Sequence, residues 1–148
     1  MYHRINKLHE RALRVVYKDD NLTFEQLLEK DEAFTIHERN LQRLAILMYK
    51  VKHGLCPIPV QEIFIRNESN LNLRHGNKDG DFIIPRVRTV NYGKETLRYR
   101  GPVTWNLIPD NLRNIPTLEK FKEEIKKWKP LGCKCRLCTP YIKDLGYI

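Results

Sequence analysis

No apolar run in the chain approaches the roughly 20 residues needed to cross a bilayer, so a membrane-spanning helix is not expected. The first residues, Met1-Tyr-His-Arg-Ile-Asn-Lys-Leu-His-Glu-Arg11, are too polar for a secretory signal. These two absences point to an intracellular protein, nuclear or cytoplasmic, with reduced thiols and no membrane partner. Also missing are a glycine-rich phosphate loop, paired catalytic carboxylates and any constellation of serine, histidine and acid. The histidines, at 3, 9, 37, 53 and 75, lack metal-ligand spacing to one another and to the cysteines. They read as surface or satisfied, partly buried residues.

Acidic residues are in deficit, 18 against 27 lysines and arginines, which gives a net charge of +9 and an isoelectric point near 9.5. A basic balance favours a polyanionic partner, usually RNA or DNA, whereas dispersed lysines would only keep a small protein soluble. Clustering must decide between them. At 148 residues, 41% hydrophobic and 30% charged, the chain suits one ordinary folded domain.

Helical periodicity opens the chain, with Ile5, Leu8, Ala12, Leu13 and Val16 on one stripe and His3, Arg4, Lys7, Arg11 and Arg14 largely off it. Thr23-Phe-Glu-Gln26 and Thr35-Ile-His-Glu38 have capping-box spacing and should each open a helix. The first would bury Leu27 and Leu28. The second would bury Leu41, Leu44, Ala45, Met48 and Val51, with Gly54 and Pro57 as its stop. Residues 66–81 are rich in turn formers and read as a flexible loop. Strand-forming stretches on either side of Gly93 predict a β-hairpin over residues 82–100, closed by Gly101-Pro102. Trp105, Leu107, Ile108 and Leu112 belong to a short helical segment interrupted by Pro109. Thr117 should then cap a last helix that buries Leu118, Phe121, Ile125 and Trp128. The expected fold is α+β and mainly helical, with four to five helices, one hairpin and a basic cysteine-containing tail. Residues 1–130 would form the domain and 131–148 the tail.

Three clusters carry candidate chemistry. Tyr17-Lys18-Asp19-Asp20 spells the metal-binding sequence of reverse transcriptases, but it ends a helix and lacks a third carboxylate, so it reads as a helix-terminating turn. Arg86, Arg88, Arg98 and Arg100 alternate along the two expected strands. With a three-residue loop of Gly93, Lys94 and Glu95 they would share one face with Tyr92, a basic surface for phosphates with an aromatic for base stacking. A two-residue loop would divide them between faces, and a merely solvated strand face is the plain alternative. Cys133, Cys135 and Cys138 have spacing that can converge on zinc, with a fourth ligand from His53, His75, water or a second molecule. The other reading is reduced thiols in a basic turn. Lys127, Lys129, Lys134, Arg136 and Lys143 concentrate charge there, and a tail neutralising roughly four phosphates would give a log–log salt slope of about −3.6 on duplex. Cys56 reads as an isolated small hydrophobe.

Taken in order, Leu8-His-Glu-Arg-Ala-Leu-Arg-Val-Val-Tyr17, His37-Glu-Arg-Asn-Leu-Gln42, Tyr49-Lys-Val-Lys-His-Gly-Leu-Cys-Pro57, Arg88-Thr-Val-Asn-Tyr-Gly93, Gly101-Pro-Val-Thr-Trp-Asn-Leu-Ile-Pro109, Phe121 to Trp128, Cys133-Lys-Cys-Arg-Leu-Cys138 and Leu145-Gly-Tyr-Ile148 carry a resemblance. Over essentially its whole length the chain resembles the region downstream of the reverse transcriptase domain in non-LTR (LINE-type) retrotransposon polyproteins. The resemblance implies a non-catalytic, nucleic-acid-associating C-terminal fragment of such a polyprotein, with endonuclease and polymerase segments upstream and no catalytic residue to carry over. Many such elements end in a zinc knuckle of C-x-x-C, His, Cys type, and the C-x-C-x-x-C here departs from it. The alternative is a structural or interaction module that docks on the missing polymerase portion or a host protein, or a remnant without function.

Overall fold

The computed structural model describes residues 2–67, 81–89 and 92–130. Among them are seven α-helices: α1 (Tyr2–Tyr17), α2 (Phe24–Lys30), α3 (Ile36–Lys52), α4 (Ile58–Gln61), α5 (Leu97–Leu107), α6 (Asp110–Arg113) and α7 (Leu118–Lys127). A single 3-10 turn, Gly93–Glu95, precedes α5. The described residues divide into two compact units, 2–40 and 41–130, and the boundary falls inside α3 between Asn40 and Leu41.

Local chemistry sets the helix ends. Thr23 Oγ1 accepts from the Gln26 amide at 3.3 Å, while the Thr23 amide donates to Gln26 Oε1 at 2.9 Å. At α3 the same reciprocal box joins Thr35 and Glu38, at 2.8 and 3.2 Å. Two otherwise orphaned donors are satisfied at each helix start. At its other end α3 closes in a Schellman motif, with Leu55 donating to the Lys50 carbonyl at 2.8 Å and Gly54 to that of Val51 at 3.2 Å. Gly54 has φ +68°, the left-handed conformation that this closure requires. Thr117 occupies the N-cap position of α7 but makes no side-chain capping bond.

The first unit is held by Leu13 of α1 against Leu27 and Leu28 of α2, flanked by Tyr17, Leu22, Phe24 and Ala33. Of the stripe expected to be buried on α1, only Leu13 is; Leu8 and Val16 are 63% and 68% exposed. The helix turns a different side inward. Its end is tied down by Arg14, which donates to the Asp20 carbonyl at 2.7 Å and to Glu10 at 2.8 Å. Tyr17 donates to Asp31 at 2.8 Å, and that hydrogen bond raises the phenol's pKa.

In the second unit Ala45, Met48, Tyr49 and Val51 of α3 pack with Phe64, Phe82, Trp105, Ile108, Ile115, Phe121, Ile125 and Trp128. Aromatic rings run through it. Phe82 meets Trp105 edge-on at 6.1 Å, Trp105 lies 6.2 Å from Phe121, and Phe121 stacks on Tyr49 at 4.4 Å. Phe121 and Ile125 are fully buried, each contributing on the order of 1.5–3 kcal/mol. Polar bonds close this core where side chains cannot avoid it. The Tyr49 hydroxyl donates to the Ile115 carbonyl at 2.9 Å, and the buried Gln42 amide donates to the Lys126 and Trp128 carbonyls at 3.2 and 2.9 Å. Gln42 thus ties the last turn of α7 to α3. Cys56 is a free thiol packed at the edge of the same core.

The expected β-hairpin does not form. The described residues contain no strand, and α+β gives way to a helical fold. Residues 97–100, expected as the second strand, are the first turn of α5, and Gly101-Pro102 lies inside that helix instead of ending it. Tertiary packing explains why. A Cβ on Gly101 would stand 2.5 Å from Phe64 Cε1 and 2.7 Å from Met48 Sδ, so α5 can approach the core this closely only with glycine there. Pro102 is buried beside it and forgoes one helical hydrogen bond. The sole β-type pairing among the described residues is an isolated antiparallel bridge between Arg66 and Phe82. Asn67 donates to the Asp81 carbonyl at 3.0 Å and Ile83 to that of Ile65 at 2.9 Å. The expected flexible loop 66–81 is therefore pinned at its edges; 68–80 lie outside the described residues, as does the tail from 131 onward.

Candidate nucleic-acid interface

Where a hairpin was expected, residues 86–89 and 92–98 form a tight knob leading into α5. Gly93 sits so close to Val87 that a Cβ there would be 2.8 Å from the valine Cβ and 3.1 Å from Thr89 Oγ1. Thr89 Oγ1 accepts from the Gly93 amide at 2.9 Å, and Thr96 Oγ1 donates to the Gly93 carbonyl at 2.7 Å. Two threonines and a glycine thus hold the 86–89 segment against the 3-10 turn.

The knob carries its cations outward. Arg86, Arg88, Lys94 and Arg98 are exposed, and no ion pair is recorded for them among the described residues. Tyr92, between Arg88 and Lys94 in the chain, has 81% of its surface exposed, an unusual state for a large ring. Glu95, the only carboxylate from 86 to 98, is engaged by Arg100 at 3.4 Å. Arg100 is half-buried and already neutralised, so it leaves the set of four arginines expected to share one face. Lys94 takes its place; the sequence had shown it only as a loop residue.

The last helix contributes less than its lysines suggested. α7 holds Lys120, Lys122, Lys126 and Lys127 but also Glu119, Glu123 and Glu124, and Lys127 reaches Glu124 at 3.5 Å. Lysines in a final helical turn also have a plain structural role, because they face the negative end of the helix dipole. Lys129 is exposed beyond the helix end. Lys134 and Arg136, and the candidate zinc ligands Cys133, Cys135 and Cys138, lie outside the described residues. Of the two histidines considered as a fourth ligand, His75 also lies outside them. His53 is exposed, its ring tilted against that of Tyr49 at 4.2 Å, its pKa lowered by desolvation and by the neighbouring Lys52 charge. Among the described residues no group of three or more metal-ligating side chains comes together.

Asp19 and Asp20 occupy the turn after α1. Lys18 adopts φ +51°, its amide still bonded to the Arg14 carbonyl at 2.8 Å, and Asp19 accepts from the Asn21 amide at 3.0 Å. A third acidic group, Asp81, lies in the second unit. It accepts from Trp105 Nε1 at 2.6 Å and pairs with Lys52 at 3.0 Å. Burial pushes its carboxyl up, but the Lys52 and Trp105 hydrogen bonds, with the Lys52 and Arg113 charges, outweigh that and hold the pKa below its ordinary value. This carboxylate is spent on structure.

No described helix is long and apolar enough to cross a membrane. No family model, curated protein or solved structure matches the chain.

Proposed function

We propose that this protein is a non-catalytic module that retains single-stranded RNA or DNA on the knob formed by residues 86–89 and 92–98. The observation that carries the reading is that Arg86, Arg88, Lys94 and Arg98 are exposed and make no ion pair among the described residues, on the same short stretch of chain as a tyrosine exposed to 81%. Guanidinium and ammonium groups neutralise phosphates without regard to sequence, and a free aromatic face stacks on an unpaired base. A duplex hides its bases from such a ring, so the single strand is favoured. The motif order set out above supports an origin downstream of the reverse transcriptase domain of a LINE-type polyprotein, where the module would hold element RNA or a nicked target strand near the polymerase. Retention is electrostatic and by stacking, and no bond is made or broken.

Fluorescence anisotropy with labelled single-stranded RNA and with duplex DNA, each at two salt concentrations, tests this. Engagement of about four phosphates on a single strand gives a log–log salt slope near −2.8. The expected result is micromolar binding at low salt, tighter for the single strand. Absence of binding at low salt, or a preference for duplex, would overturn it.

A further inference from the structure

Around α1 the side chains divide into three strips. At 100° per residue, Leu13 and Tyr17 fall on the side that packs against α2. Arg4, Lys7 and Arg11 are exposed and lie within about 60° of one another on a second strip. Between these, Leu8, Ala12 and Val15 form a third, continued by Val16, and it is apolar and uncovered: Leu8 is 63%, Val15 76% and Val16 68% exposed. Single exposed apolar residues are ordinary; four at helical spacing over about two and a half turns are a surface waiting for a partner.

We infer that this face of α1 docks a helix of another protein whose own apolar stripe is bordered by carboxylates on one side. The spacing i, i+4, i+7, i+8 is that of helix-against-helix anchors, and alanine and valines leave the axes free to approach closely. The charge picks the partner. Arg4, Lys7 and Arg11 border the apolar strip on one flank only, since the other leads to the side closed by α2, so acidic residues along one edge of the partner would both pair with them and set its direction. A second copy of the chain is disfavoured, because antiparallel two-fold pairing would set the same basic flank against itself. A lipid surface fits less well: interfacial helices bury bulky aromatic and leucine side chains, and here the strip has one leucine. This inference stands apart from the nucleic-acid reading, which uses a different unit of the chain.

The test uses the full chain and a labelled 18-residue helical peptide with leucines at the same spacing and glutamates along one flank, beside a matched peptide with lysines in their place. Anisotropy should give at least tenfold tighter binding of the glutamate peptide. Combined Leu8→Ser and Val15→Ser should lower that binding tenfold or more, while combined Arg4→Glu, Lys7→Glu and Arg11→Glu should transfer the preference to the lysine peptide. The serine variant should melt within a few degrees of the parent by circular dichroism. A large drop in its melting temperature would mean that the strip is internal in the folded protein, and the proposal would fail. Equal affinity for the two peptides would overturn it, as would no binding of either. Flotation with phosphatidylcholine–phosphatidylserine vesicles, or self-association by sedimentation, that depends on Leu8 and Val15 would assign the face to lipid or to a second copy instead.

Discussion

Trp105 Nε1 donates to Asp81 Oδ2 at 2.6 Å across 24 positions of chain, with the Lys52 ammonium 3.0 Å from the same oxygen and 5.6 Å from the indole centroid. One carboxylate thus satisfies the polar edge of a fully buried aromatic ring while its counter-ion lies over that ring's face. The arrangement also anchors the end of the segment that leads to the knob.

Acid should loosen this anchor. The Asp81 carboxyl titrates below its ordinary 3.8 in the folded protein, so its contribution is complete above that value and is lost as pH falls through the lower folded value. Urea unfolding should therefore show parent and Asp81→Asn differing at neutral pH and converging at strongly acidic pH. Asp81→Leu should cost more than Asp81→Asn, by about 1–3 kcal/mol, because asparagine still accepts from the indole whereas leucine leaves that donor unpaired. An unchanged gap at low pH would refute the linkage.

Two glycines should fail for different reasons. Gly54→Ala places its Cβ in open space but at φ +68°, and should cost about 1–2 kcal/mol through backbone strain alone. Gly101→Ala drives a Cβ into Phe64 and Met48, and should cost about 1–3 kcal/mol through overpacking. Adding Met48→Ala to each separates the causes: the extra space should relieve part of the cost at Gly101 and none at Gly54, as thermal melts of the double variants would reveal.

On α5, both amide atoms of Asn106 are buried without a hydrogen-bond partner among the described residues. An unpartnered buried amide costs more than an apolar group of similar shape. Asn106→Leu should be neutral or should stabilise by about 1–3 kcal/mol in denaturant titration. A loss greater than 1 kcal/mol would mean that the amide has a partner in solution.

Stacking and charge on the knob should separate in salt. Tyr92→Ala should weaken single-stranded RNA binding by about 1–3 kcal/mol with the salt slope unchanged, since no counterion is released by an aromatic face. Arg88→Ala should make the slope shallower by about 0.7. Arg100→Ala, whose guanidinium is committed to Glu95, should change the slope little. The same change from all three would argue that the knob is not the contact surface.

Much of the helical framework was legible because its determinants are local. Thr23 with Gln26, and Thr35 with Glu38, bond across three positions, and Gly54 closes α3 within five, so these ends could be read before any tertiary contact was known. The apolar repeats of α3 and α7 likewise bury as their periodicity predicts, with Leu41, Ala45, Met48, Phe121 and Ile125 inside. The segment from Phe82 to Arg100 was misread for a physical reason. Its β-branched, aromatic and arginine-rich composition suits a strand, but strand preference is largely a measure of packing, and the packing here is of α5 on Phe64 and Met48. The basic site was half visible: four arginines marked the region, but only the fold shows that Arg100 pairs with Glu95 and that Lys94 makes no ion pair among the described residues.

By itself, then, the sequence determined where α2 begins, where α3 begins and ends, which face of α3 and α7 turns inward, and that the protein carries a strong positive charge, because these depend on neighbours a few positions apart or on composition. Tertiary structure decided the rest. Gly101 became a point of close contact instead of a breaker, Tyr92 was left exposed, and α1 buried the side bearing Leu13 while exposing Leu8 and Val15. Periodicity says that a helix has an apolar face; only the elements packed around it decide which of its faces is covered.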